Sequence, residues 1–415
     1  MELYKKITEK IRNGSISMHV PGHKNNTIGR LSDFDWRYDM TEIEGLDDLH
    51  EPNGVLDRLN AEIATKYEDY KAQVMVNGTT NGIISALYAL SQTHERFIVI
   101  KGAHKSIYHG LDLTNSPYQE IALEEVYSYD IKPRDVVLIT YPTYIGECFD
   151  IENVIHHIHS LQGLVLTDEA HGAHLDIAEG FPSSSMKFHS DITIQSYHKM
   201  LPALTMASVI FVRDEKLYEN IMKYINYFET SSPSYLVMLS IEQAHVFYRN
   251  YSADEFFQKR ALLIETMKKA GLQVSQQDDP AKLLLGHKEL TPFMLHDVFT
   301  DLHIYPEMVT DEGVLFCLPL FHIGDKYPFS PLIERIGIMD FRARKPEPVQ
   351  VQVDILEGER CVKSIVPYPP GIPLVHENEL ITRAHLKSIK HYLRNRVRIE
   401  GIKYNIEYYS NEGNQ

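Results

Sequence analysis

LVLTDEAHGAH (164–174) opens on a short apolar run and ends on an aspartate and two histidines. A run this short and nearly continuous in Leu and Val reads as a strand buried on both faces of a parallel sheet. The signature recurs in QVMVN (73–77), FIVIK (97–101), VVLITYPTY (136–144), DITIQS (191–196) and ASVIFV (207–212). Helical periods fill the gaps, at 79–90, near 106–113 and at 151–161. This alternation predicts an α/β domain with a mostly parallel sheet flanked by helices.

Residues 213–271 read as mainly helical, broken at SSPSY (231–235). After Gly271 the strands LLLG (283–286) and VLFCLPL (314–320) mix with helices at 291–302 and 379–395, predicting a smaller α+β domain. The first sixty residues, with TEIEGLDDLHEPNG (41–54), read as an irregular acidic arm. The expected division is an N-terminal arm over 1–60, a large domain over 61–271 and a small C-terminal domain over 272–415.

Composition narrows the function classes. Of 415 residues, 43% are hydrophobic and 24% charged, which excludes collagen, coiled coil and whole-chain disorder. The net charge, 41 − 57 = −16, argues against a nucleic-acid or anionic-membrane partner. Cys148, Cys317 and Cys361 lie too far apart for a disulfide framework or a zinc spacing. The start, MELYKKITEKIRNGS, has no apolar signal region, and no apolar run approaches the roughly 20 residues of a membrane span. The expectation is a cytoplasmic protein.

Three features at strand ends carry chemistry. Lys199, in QSYHK, follows a buried strand, where partial burial lowers an amine's pKa and makes it a usable nucleophile. Asp168 and His171 close the neighbouring run. NGTT (77–80) opens a helix after a strand, and a helix N-terminus with threonine hydroxyls favours phosphate. Phosphate cup, buried aspartate and lysine are together the parts of a pyridoxal phosphate (PLP) site. Each has a bland alternative: a solvated lysine, core histidines, or a helix cap at Thr79 and Thr80. The run ending in DEAH also resembles a helicase Walker B element, but GAHKS (102–106) lacks the full phosphate loop that reading needs. His171 and His174, three apart, lack the third ligand and second shell of a metal site, and His156, His157 and His159 suit a solvated helix face. No metal is expected.

The chain resembles the ornithine/lysine/arginine decarboxylase family of fold-type I PLP enzymes, in a compact form without an N-terminal wing domain. The resemblance runs in family order through HVPGHK (19–24), TEIEGLDDLH (41–50), VNGTTNG (76–82), KGAHKS (101–106), ITYPTYIG (139–146), TDEAHGAH (167–174), QSYHKMLPALTMAS (195–208), TSSPSY (230–235) and VPYPPGIP (366–373). It implies that Lys199 bears the cofactor's aldehyde and Asp168 pairs with the pyridine nitrogen. It implies His104 stacked on the ring, with Ala170 on the opposite face. Thr79, Thr80, Asn81, Ser196 and His198 would hold the phosphate, and Thr143 would lie near the 3-oxygen. His171 joins the cofactor-binding set. Ser232 and Ser234 would reach the cofactor from a partner subunit, so a homodimer or higher homo-oligomer is expected.

The implied reaction is α-decarboxylation of a basic L-amino acid, with Lys199 or His198 protonating the α-carbon. The family's Pro-Gly-Glu after PPGIP is replaced by His376-Glu377-Asn378-Glu379, where Glu379 keeps an acid for the substrate's distal cation. Asp47 and Asp48, with Glu42 and Glu44, would attract that cation to the entrance. The alternatives are another fold-type I reaction, such as an aminotransferase or lyase, with Arg335, Arg342 or Arg344 as the carboxylate clamp, or a degenerate paralogue that binds PLP or a polyamine as a regulator.

Overall fold

A computed structural model describes residues 2–341, 349–368, 371–395 and 397–408. Its centre is a seven-stranded sheet in the order Lys71–Met75, Ser208–Val212, Ile192–Gln195, Leu164–Asp168, Val136–Thr140, Phe97–Ile100 and Tyr118–Ile121. Every pairing is parallel except the two made by Ser208–Val212, which runs antiparallel between its neighbours. The predicted mostly parallel sheet is therefore present, extended by an edge strand, Tyr118–Ile121, whose polar YQEI carries no apolar run.

The inner strands are mostly apolar because both faces are covered. Successive side chains point to opposite faces. Val136 and Leu138 pack with helices Gly78–Ser91, Lys105–Leu113 and Glu215–Phe228. Val137 and Ile139 pack on the other face with helix Ile151–Ser160. Helices Val55–Ala64 and Tyr235–Arg249 cover Val74, Val209 and Phe211 at the far end of the sheet.

The second packing unit is a four-stranded antiparallel sheet in the order Met308–Val309, Val314–Cys317, Lys282–Gly286 and Gln273–Gln276. Its core draws on both sides of the expected boundary at 271. Phe256, Leu263 and Met267 of helix Asp254–Lys269 pack there with Leu283 and Phe316. Ile16 and Met18 join the same core.

The expected irregular arm thus contains ordered elements: helix Glu2–Arg12, strand Ile16–Met18 and most of helix Val55–Ala64. Strand Ile16–Met18 runs parallel to Ile304–Pro306, a partner that no local pattern reveals. The C-terminal portion holds a further core around Ile365, Val375, Ile389 and Leu393, built from helix Arg383–Arg394 and two short sheets. It touches the large domain through Lys105–Glu400 at 2.7 Å and His376–Glu120 at 3.0 Å.

Candidate active site

The strand ends of the central sheet converge on one cavity of about 270 Å³. Val20, Pro21, His104, Tyr144, His171, His198, Lys199, Thr205, Glu307, Met308 and Tyr368 line it. Asp168 is the last residue of its strand, and Lys199 lies four residues past the end of the next. This is the carboxyl edge, where open α/β sheets bind ligands.

Lys199 Nζ lies 3.2 Å from His171 Nε2. Burial pushes the Lys199 amine down, against the pull of Asp168 and Glu307. Asp168, 1% exposed, accepts at Oδ1 from the Ala170 N–H at 3.0 Å. Burial pushes its carboxyl up, with Lys199 opposing. In both groups desolvation outweighs the mutual attraction. A cation set against Asp168 would relieve that penalty, and a protonated pyridine nitrogen is such a cation.

His104 caps helix Lys105–Leu113 by accepting the Ser106 N–H at 3.2 Å, and its Nδ1 meets the Ser106 hydroxyl at 2.8 Å. Burial, then the charges of Lys199 and Lys105, hold it at about 3. A neutral flat ring thus forms part of the wall. Gly371, at φ +97, lies against it, where a Cβ would come 3.0 Å from His104 Nε2. The His198 Nδ1–H donates to the Ala207 carbonyl (3.1 Å), and burial holds the ring at about 4.

At the start of helix Gly78–Ser91, Asn77 makes no side-chain cap. Gly78, at φ +76, leaves open space beside it. The hydroxyls of Thr79 and Ser196, both buried, meet at 3.1 Å. Thr80 is exposed, and the Asn81 side chain accepts from Ser85 Oγ at 3.2 Å. Free helix N–H groups flanked by hydroxyls suit a phosphate. From behind, buried Glu229 accepts the Val76 and Asn77 N–H groups at 2.6 and 3.1 Å, fixing the turn. The buried acid, amine and uncapped helix together fit pyridoxal phosphate.

Several expected site residues lie elsewhere. Thr143 is spent on a local turn, its hydroxyl accepting the Glu147 N–H at 3.0 Å, and Tyr144 lines the cavity in its place. Ser234 caps helix Tyr235–Arg249, and exposed Ser232 belongs to the preceding turn; neither lines the cavity within one chain. Glu379 accepts the His376 N–H at 2.8 Å in the C-terminal unit, away from the cavity lining. Asp47 accepts from Asn53, Gly54 and Leu56, so it builds the start of helix Val55–Ala64. Exposed Asp48 accepts the His50 N–H at 2.8 Å. Of the histidine pair, His171 faces lysines while His174, fully buried, bonds Asp279 at 2.9 Å.

Among the residues that sequence reasoning missed, two are charged. Glu307 lines the cavity from the second sheet, and its Oε2 accepts the Val20 N–H at 2.8 Å. Lys282, wholly buried, places Nζ 3.2 Å from His171 Nδ1 and 3.0 Å from the Tyr144 carbonyl. The available signal was weak: a lone charge at the edge of an apolar run, as in DPAKLLLG (279–286).

The family model for "Orn/Lys/Arg decarboxylase, major domain" matches residues 2–118 and 118–289. The chain belongs to the Orn/Lys/Arg decarboxylase family. Within this decarboxylase family, it is 28% identical to YaaO of Bacillus subtilis, an uncharacterized protein, across 96% of this chain and 95% of that one. It is 23% identical to an arginine decarboxylase of Bacillus anthracis, across 96% and 94%. Among solved structures, the constitutive lysine decarboxylase of E. coli superposes with a TM-score of 0.65 at 15% identity, over 90% of this chain and 75% of that one. A PLP-bound serine palmitoyltransferase of S. paucimobilis gives 0.59 at 14%, over 78% and 86%. The fold is that of fold-type I PLP enzymes, and pyridoxal phosphate is the cofactor that family and site indicate.

Proposed function

We propose that the chain removes the α-carboxylate of a basic L-amino acid (lysine, arginine or ornithine) and works as a homodimer. The observation that carries this is the lining of the Lys199 cavity. It brings together the Lys199 amine and the Glu307 carboxylate, in the field of buried Asp168, with no arginine among its described residues. A carboxylate without an arginine suits the cationic end of a substrate better than its α-carboxylate.

Bound pyridoxal phosphate would supply the electron sink for the pair left when carbon dioxide departs. Lys199 would anchor the cofactor's aldehyde, Asp168 would face its pyridine nitrogen, and Thr79 and Ser196 would orient its phosphate. The His104 ring and buried Met308 narrow water's access to the cavity, which favours loss of a neutral gas from an anion. Lys199 or His198 then delivers a proton to the α-carbon.

An aminotransferase reading requires a free arginine. Arg335 instead donates to the carbonyls of Leu302 and His303 at 3.1 and 3.4 Å, and Arg342 and Arg344 fall outside the described residues. Purified protein with PLP should release CO₂ and form the matching amine from at least one of lysine, arginine and ornithine. Keto-acid without CO₂ would favour the aminotransferase. Cofactor binding without turnover of any of the three would favour a regulatory paralogue.

A further inference from the structure

His171 stands between two lysines, with Lys199 Nζ 3.2 Å from Nε2 and Lys282 Nζ 3.2 Å from Nδ1. Burial and the two amines hold the imidazole well below its usual pKa, so it is neutral and carries one N–H. A neutral ring can accept at one nitrogen and donate at the other. The lysine opposite the donating nitrogen must offer a lone pair and is therefore a free amine.

The two lysines differ in surroundings. Lys282 Nζ has a second acceptor, the Tyr144 carbonyl at 3.0 Å, and is wholly buried beside the charged field of Asp279. An ammonium has only donors, so it suits a site with two acceptors. Lys199 faces the cavity, with Asp168, Glu307 and Cys317 in its field as well as Lys282. His171 also feels His104 and His198, and its ring meets Tyr144 edge-on at 5.2 Å.

We infer that Lys282 is a positioning residue: as an ammonium it donates to His171 Nδ1, fixes the Nε2–H tautomer, and so presents Lys199 with a donor that keeps it a free amine. The proton that would otherwise rest on Lys199 resides on Lys282, two hydrogen bonds away across the His171 ring, and no net proton is gained or lost. The inference rests on the proposed function only for what Lys199 then does; the proton arrangement stands or falls separately.

Competitive acetylation of the full chain by acetic anhydride, read at Lys199 by peptide mass spectrometry across pH, reports its amine directly and needs no turnover. Lys282→Met should raise the titration midpoint and lower Lys199 labelling at neutral pH about tenfold, because a neighbouring cation is gone. Lys282→Arg should restore it. An unchanged midpoint in Lys282→Met, or equal shifts in the two variants, overturns the inference. A second readout needs no variant at Lys282. Histidine ¹⁵N spectra of the wild-type chain, assigned against His171→Asn, should show Nε2–H; an Nδ1–H tautomer overturns it. If no imine absorbance develops with PLP while both readouts hold, the cofactor reading fails and this inference survives.

Discussion

At the scale of single residues, position in the sheet predicted where a side chain stands better than residue type did. The placement of Asp168 and Lys199 at one sheet edge was legible because Asp168 ends an apolar run and Lys199 follows the end of the next by four residues. Thr143 and Tyr144 are adjacent, yet a turn bond to Glu147 consumes one and the other faces the cavity. Nothing in the sequence separates them. Lys199→Ala should abolish both the imine absorbance of PLP-loaded protein and CO₂ release; retained turnover would remove Lys199 from the reaction. Glu307→Gln should raise KM for a cationic amino acid about tenfold with a smaller effect on kcat, the scale of one charge-assisted hydrogen bond. A normal KM in steady-state assays would leave Glu307 only its bond to Val20.

At the scale of elements, the central strands were readable because local composition decides them. The first sixty residues were not, because their partners are remote. The loop after Ile16–Met18 illustrates this. Gly22 donates its N–H to the His198 carbonyl at 2.8 Å, and a Cβ there would come 2.5 Å from the Leu201 carbonyl oxygen. Gly22→Ala should therefore destabilise the fold by about 1–3 kcal/mol, as overpacking does, and weaken PLP binding by shifting the Lys199 turn. Denaturant unfolding and a PLP titration measure the two effects.

Asp47 belongs at this scale too, since it serves a helix start. Against the desolvation that raises it, the N–H groups of Leu56, Gly54 and Asn53, with its own, hold its carboxyl at about 2, against 3.8 unperturbed. A lowered folded pKa stabilises above the unfolded value, so the contribution is complete above about pH 4 and is lost as pH falls through about 2. Asp47→Ala should cost about 1 kcal/mol in thermal unfolding at neutral pH, the size of a lost cap, with KM unchanged.

At the scale of the whole molecule, the turn at Asn77–Thr79, proposed to hold the phosphate, lies near an exposed face. Met206 and Phe228 are 49% and 41% exposed, and the Met206 and Phe228 carbonyls accept from Gly78 N and Asn77 Nδ2. Apolar side chains around a polar turn suit burial by a second copy. Sedimentation should give a dimer at micromolar concentration, and Phe228→Glu should both dissociate it and weaken PLP binding; a fully active monomer would exclude a shared site. The parallel pairing of Ile16 with Ile304 carries one more consequence. Those residues are 304 − 16 = 288 positions apart, so during synthesis the opening segment waits, unpaired, until most of the chain has left the ribosome. The HVPGH loop gains its bond from the Val20 N–H to Glu307 only after that, which makes this wall of the cavity a late product of translation. A ribosome stalled before residue 304 would carry a finished central sheet and an unfinished pocket.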